Sequence, residues 1–198
     1  MLENLRAIVK ERVTEKRYIH TLGVEEKAVE LSKKYGVDET KVRVAAILHD
    51  IAKSMDINRM EEICKANFSD ELSEEDMRIS EILHGFVGYL IAKDELNITD
   101  EEILSAIKYH TIGKKGLSLV GRIIYIADGI EKNRVYPGVD EIRKVTDTNL
   151  DQGIIFEIER KITYLQSTGG KIHRNTLEMK EWLEDSLNGG KIWKLKKN

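Results

Sequence analysis

Five histidines punctuate the chain, His20, His49, His84, His110 and His173, and four of them fall about one helix apart. His49 is followed at once by Asp50 in AAILHDIAK, and a further aspartate, Asp128, lies in YIADGIEKNR. An imidazole nitrogen and a carboxylate oxygen on neighbouring positions can both reach one ion. With His20 before them and Asp128 after them, the set reads His…His-Asp…Asp. Two imidazoles and two carboxylates form a nitrogen/oxygen donor set without thiolate. That set favours manganese, iron, cobalt, nickel or zinc over calcium or a cysteine-type structural zinc. A six-coordinate ion on such ligands keeps positions for water and a phosphate oxygen, so it can acidify the water and polarise phosphorus. His84 and His110 are left for a second ion, for hydrogen bonds to phosphate, or for protonation of a leaving group.

Taken alone, a histidine on an apolar face is usually a core residue with a satisfied hydrogen bond, and an aspartate such as Asp128 is usually a cap or an ion-pair partner. The set changes the balance. Unpaired buried charges are costly, and a shared cation offsets that cost. Basic residues attend the same segments: Arg17 one turn before His20, Lys53 one turn after His49, and Arg134 after Asp128. The segment STGGKIHRNT joins glycines, Lys171, Ile172, His173 and Thr176 at a new helix start, a context in which backbone N–H groups can face an anion. Singly these are ordinary surface charges. Together they point to a highly charged substrate, more like a polyphosphate than a simple monoester.

The elements that must position these residues read as helices throughout. Residues 2–13 form a short amphipathic helix, and Thr14 caps a second that reaches Tyr35 and stops at Gly36. Asp38 caps a third through Lys53, in which Val42, Ala45, Ala46 and His49 follow the i, i+3, i+4, i+7 spacing and turn His49 inward. Asp56 opens a fourth through about Ala66, and Ser73 a longer one through about Leu96 with Gly85 and Gly88 inside it. There His84 aligns with Val87 and Ile91. Thr99 and Glu102 form a capping box for a helix ending near His110. Ser118 starts another through about Lys132, whose inner stripe of Val120, Ile124 and Ala127 carries Asp128. Pro137-Gly138 is a turn, short helical stretches follow near 139–146, and residues 149–167 are helical up to the Gly169-Gly170 break. Asn175 or Thr176 caps a last helix to about Leu187, and the basic tail from about 188 to 198 is expected to be loosely held.

No strand pattern, repeat or divider rich in Pro, Gly or Ser is evident, so the 198 residues are expected to form one all-α domain. A net charge of −3 implies no general polyanion-binding surface, so nucleic acid is not an expected partner. A single cysteine, Cys64, excludes an intrachain disulfide and suits a reducing compartment. The charged opening MLENLRAIVKERV does not read as a signal peptide. No apolar run approaches the roughly 20 residues of a membrane span. The expected location is the cytoplasm, without membrane contact.

Over nearly its whole length the chain resembles the YqeK-type symmetrical bis(5′-nucleosyl)-tetraphosphatases of the HD superfamily. The resemblance is carried by RYIHTLGV, AAILHDIAK, EILHGFVGYLIA, IKYHTIGKKGLSLVGRIIYIADGIEKNR and YPGVDEIR. A bare His-Asp doublet is common, whereas this ordered set of blocks is specific. The resemblance implies an all-α HD-domain helical bundle that binds iron, with Mn, Co or Zn as substitutes. It implies cleavage of diadenosine tetraphosphate into two ADP by metal-activated water attack on an inner phosphorus. Carried over by motif, His20, His49, Asp50 and Asp128 match metal ligands. Arg17, Lys53, His84, His110, Thr111 and Arg134 match positions near a bound nucleotide diphosphate, as does the stretch from Lys171 through Ile172 and His173 to Thr176. Asp50, Lys53, His84 and His110 are the expected catalytic groups. Lys132 and Arg174 stand where relatives often carry proline, and neither matches a metal ligand. A homodimer is compatible with this reading. Two readings compete with it: another HD phosphohydrolase acting on (deoxy)nucleotides or cyclic dinucleotides, and a non-catalytic metal and nucleotide sensor.

Overall fold

The computed structural model describes residues 1–195, with side chains through residue 189. Among the described residues there is no strand. The helices are α1 (Leu2–Arg12), α2 (Glu15–Tyr35), α3 (Glu39–Leu48), α4 (Ile57–Phe68), α5 (Ser80–Leu90), α6 (Glu101–Tyr109), α7 (Leu119–Ile130), α8 (Val139–Thr148), α9 (Leu150–Thr168) and α10 (Arg174–Leu195). A 3-10 turn, Asp76–Arg78, precedes α5, and a π-helical turn, Ile91–Glu95, follows it.

Local chemistry sets most of the starts. Thr14 accepts from Arg17 N, Asp38 from Thr40 N and Lys41 N, Asp56 from Asn58 N and Arg59 N, Ser118 from Gly121 N, and Asn149 from Gln152 N. Gly36 ends α2 in the left-handed region at φ 70°, where a side chain would be strained.

α7 organises the rest. Its sequence, LVGRIIYIADGI, is apolar on nearly every face, as a helix enclosed by others must be. It packs against α2, α3, α6, α8 and α9. α5 crosses α6 so closely that a Cβ on Gly85 would lie 2.7 Å from the Lys108 carbonyl, which is why glycine stands inside that helix. One contiguous core runs from Leu5 to Leu183. No described helix is long and apolar enough to cross a membrane.

Several boundaries differ from the sequence reading. α3 stops at Leu48, so Asp50 and Lys53 stand in a turn rather than on the helix. The expected helix from Ser73 is a turn, closed where Asp76 Oδ2 accepts from Ser73 N at 2.9 Å and Ser73 Oγ at 2.6 Å. Asp100, not Thr99, caps α6, its Oδ1 accepting from Glu102 N and Ile103 N. α7 ends at Ile130, short of Lys132. α10 begins at Arg174 and runs past Leu187 to Leu195. The end of the expected basic tail, residues 196–198, lies outside the described residues.

Candidate metal centre and substrate cavity

His20 on α2, the residues His49 and Asp50 just after α3, and Asp128 on α7 converge because their helices pack against one another. The ligand-capable atoms of His20, His49 and Asp128 lie within 4.8 Å of one another, as do those of His49, Asp50 and His110. Asp50 is the hub. Its Oδ2 lies 2.8 Å from Arg17 Nη1, 3.3 Å from His49 Nε2 and 3.7 Å from His20 Nε2. Its Oδ1 lies 3.0 Å from His84 Nε2 and 3.7 Å from His110 Nε2. Asp128 Oδ1 meets His20 Nε2 at 3.0 Å and accepts from Arg134 Nη2 at 2.7 Å.

The hydrogen bonds assign the imidazole tautomers. His49 is fully buried, and its Nδ1 donates to the Ala46 carbonyl at 2.6 Å, so Nε2 presents a lone pair. Among the described residues that atom has no hydrogen-bond partner; Asp50 Oδ2 is near it but off the line of a bond. A buried lone pair facing a carboxylate oxygen calls for a cation between them. Burial works to lower the His49 pKa, but the Asp50 carboxylate beside it outweighs this and raises it, so a proton can stand in for that cation. Burial works to raise both carboxyls as well. His49 and its neighbours hold Asp50 well below the usual carboxylate range, and the bond from His20 followed by the charge of Arg134 does the same for Asp128. Two imidazole nitrogens and two carboxylates, kept ionised, fit a divalent transition ion.

His84 and His110 are arranged differently. Each donates Nδ1–H to a helix carbonyl, Ser80 O at 2.8 Å and Ile107 O at 2.7 Å, and their Nε2 atoms stand 2.9 Å apart. One proton must lie between them. Burial pushes His110 down to about 4, and His84 Nε2 is also within reach of Asp50 Oδ1.

The cluster opens into a cavity of about 710 Å³. Asp50 and Asp128 line it with Arg17, Lys53 and Arg134, and so do Thr111, Lys171, His173 and Thr176; His20, His49 and Ile172 do not. Lys53 makes no ion pair among the described residues, its Nζ lying 3.5 Å from His84 Nδ1. Lys171 is engaged, its ammonium 2.9 Å from both Asp76 Oδ1 and Glu75 Oε2. Thr176 pins its segment by donating to Ile112 O at 2.7 Å.

Sequence reasoning missed one wall. Arg160, Lys161, Tyr164, Leu165 and Thr168 of α9 line the same space as Ile79, Glu81 and Ile82 at the start of α5. The one available signal was Tyr164, an aromatic outside the apolar stripe and 59% exposed. Glu131, whose Oε1 accepts from His20 Nδ1 at 3.2 Å, was missed as well.

Helices that carry a His/Asp centre of this kind define an HD-domain protein, and the model of the HD domain family matches residues 17–133. A Bacillus subtilis (strain 168) protein named bis(5′-nucleosyl)-tetraphosphatase, symmetrical, is 38% identical over 182 residues, 91% of this chain and 96% of its own. A protein of the same name from Halalkalibacterium halodurans is 40% identical over 172 residues, 86% of this chain and 90% of its own. A crystal structure from Clostridium acetobutylicum, of a predicted HD superfamily hydrolase involved in NAD metabolism, superposes with a TM-score of 0.89 at 38% identity, covering 94% of this chain and 98% of the other. The chain thus belongs to the symmetrical bis(5′-nucleosyl)-tetraphosphatase family of HD proteins, and with the HD domain comes divalent-metal binding.

Proposed function

We propose that the protein hydrolyses diadenosine tetraphosphate into two ADP. The observation that carries the reading is the cavity of about 710 Å³, which Asp50, Asp128, His84 and His110 of the cluster line together with Arg17, Lys53 and Arg134 and which has room for a nucleotide. The names of the Bacillus and Halalkalibacterium relatives support the substrate. The reading takes the chain as one domain, supported by its one contiguous core, and as cytoplasmic, which suits a single buried thiol at Cys64.

His20 and His49 through Nε2, with Asp50 and Asp128 through their carboxylates, would hold the metal. A divalent ion there, iron first with manganese, cobalt or zinc as substitutes, supplies Lewis-acid charge stabilisation and acidifies water. The chain's own residues do the remainder. Arg17 and Arg134, braced on Asp50 and Asp128, and Lys53, without an ion-pair partner among the described residues, neutralise the polyphosphate. Water oxygen adds to one inner phosphorus, and the bond from that phosphorus to the central bridging oxygen breaks. The His84–His110 pair, whose Nε2 atoms stand 2.9 Å apart with a proton between them, donates that proton to the departing ADP oxygen. Asp50 Oδ1 is placed to take a proton from the attacking water. Beyond the phosphates, Ile79, Ile82, Ile112 and Leu165 with the Tyr164 ring offer an apolar slot for a base.

Chromatography of the products tests this. Protein loaded anaerobically with Fe²⁺, and in parallel with Mn²⁺ and Co²⁺, is expected to give ADP alone. ATP plus AMP would mean attack at an outer phosphorus and a differently seated chain. No turnover with any metal, together with tight ADP binding, would favour a sensor.

A further inference from the structure

We propose that Glu131 is the positioning residue of the metal centre. Its carboxyl group selects the His20 tautomer that can bind an ion, and Arg143 holds the turn that carries it. The proposal rests on His20 being a metal ligand.

His20 has two neutral tautomers, and each has a partner waiting. With the proton on Nε2, the ring donates to Asp128 Oδ1, 3.0 Å away, and no lone pair faces the centre. With the proton on Nδ1, it donates to Glu131 Oε1 at 3.2 Å, and the Nε2 lone pair is free. Asp128 alone would favour the first form, which blocks its own partnership in the ion. Glu131 offsets that preference. Such a carboxylate behind a ligating histidine fixes ring orientation and raises ligand basicity.

Glu131 is built for this and for little else. It is 1% exposed, and among the described residues His20 is its one ion-pair partner. Its second oxygen is occupied, Oε2 accepting from Asn133 N at 2.7 Å and Asn133 Nδ2 at 3.0 Å, so neither oxygen is spare for the ion. The chain leaves the helix at Glu131, the C-cap of α7. There the Arg143 guanidinium of α8 gathers the turn, donating to the carbonyls of Ile130 at 2.9 Å, Glu131 at 2.7 Å and Arg134 at 2.9 Å. That grip also sets the backbone of Arg134, which braces Asp128.

The facing helix is shaped to match. His20 and Gly23 on α2 stand three residues apart, as do Asp128 and Glu131, so two one-turn pairs oppose each other where α2 packs on α7. A Cβ on Gly23 would run into Glu131 Oε2, and Asn133 Nδ2 lies 3.1 Å from the same point. Glycine there is the space the carboxyl group occupies.

The test is metal affinity rather than turnover. Metal-free protein is titrated with Co²⁺ against a chelator of known affinity, and the visible Co²⁺ spectrum is recorded for wild type, E131A, E131Q and G23A. E131A is expected to weaken Co²⁺ binding about 10- to 100-fold and to shift the spectrum. E131Q should fall between it and wild type, because its amide oxygen can still accept from His20 while its NH₂ faces the Asn133 donors. G23A, which leaves Glu131 in the sequence and adds a helix-favouring residue, should weaken binding in the same direction. It keeps the proposal testable if metal-free E131A does not fold. Wild-type affinity in E131A or in folded G23A overturns the role of Glu131. Absence of Co²⁺ binding by wild type overturns instead the reading of His20 as a ligand.

Discussion

Replacing Asp50 with asparagine removes one charge from the hub while keeping its volume, and the consequences can be worked out in order. In the metal-free protein the loss is that of a buried carboxylate bonded to Arg17 at 2.8 Å and ringed by imidazoles. A charge-assisted hydrogen bond of this kind contributes about 1.5–3 kcal/mol. The larger effect lies in the response to metal. An ion that binds only the folded state stabilises it by about 2.7 kcal/mol at a free concentration near 100 times its dissociation constant. For a chain of this size that raises the thermal midpoint by about 5–11 °C. Wild type is expected to show this rise on addition of Mn²⁺ or Co²⁺. D50N is expected to show almost none at the same concentration, because asparagine can offer only a neutral oxygen to the ion. Thermal unfolding with and without metal, with bound metal counted after desalting, reads both. A full metal-induced rise in D50N would remove Asp50 from the ligand set and refute the reasoning that its carboxylate holds the ion.

Other perturbations separate the parts of the site. Lys53→Met should lower kcat/KM for diadenosine tetraphosphate about 100-fold without changing metal content, since it removes a charge aimed at phosphate; unchanged kinetics would place Lys53 outside the reaction. Tyr164→Ala should raise KM about tenfold or more with kcat held, the size of a lost base–aromatic stack, and an unchanged KM would show that no base rests there. Outside the cavity lining, buried Glu25 is bound by Arg6 Nε at 2.9 Å and Arg43 Nη1 at 2.8 Å. Burial works to raise its pKa, but these arginines lower it below the ordinary 4.5. A depressed folded-state pKa gives stability that is present above pH 4.5 and lost as pH falls through the lower folded value. Urea unfolding should therefore show wild type above Glu25→Gln by about 1.5–3 kcal/mol at pH 7, with the gap closing in acid; a gap independent of pH would mean that packing, not charge, separates them.

What the sequence made legible follows from periodicity. The stripe Val42–Ala45–Ala46–His49 turns His49 to the core whether or not the helix continues, and the stripe of α7 does the same for Asp128. The end of α3 was not legible. LHDIAKS holds no glycine or proline to stop a helix, yet the chain turns after Leu48. In a continued helix Asp50 would point about 100° away from His49. In the turn its two oxygens reach Arg17, His20, His49, His84 and His110 at once. Tertiary demand overrides local propensity at the residue that most needs it. Asp100, one residue past the expected cap Thr99, takes the N-cap instead, being the better acceptor and bonding two backbone N–H groups. Glu131 lay beyond sequence reasoning for a different reason. A glutamate after a helix reads as a solvated charge, and only the packing of α2 on α7 brings it to His20, 111 residues away in the chain. A trace was present in the spacing, since His20–Gly23 and Asp128–Glu131 repeat the same one-turn interval on helices that must meet if the two ligands share an ion. Once two ligands are assigned to facing helices, the residues one turn beyond each must also face each other. A glycine opposite a carboxylate is then a statement about space as much as about flexibility.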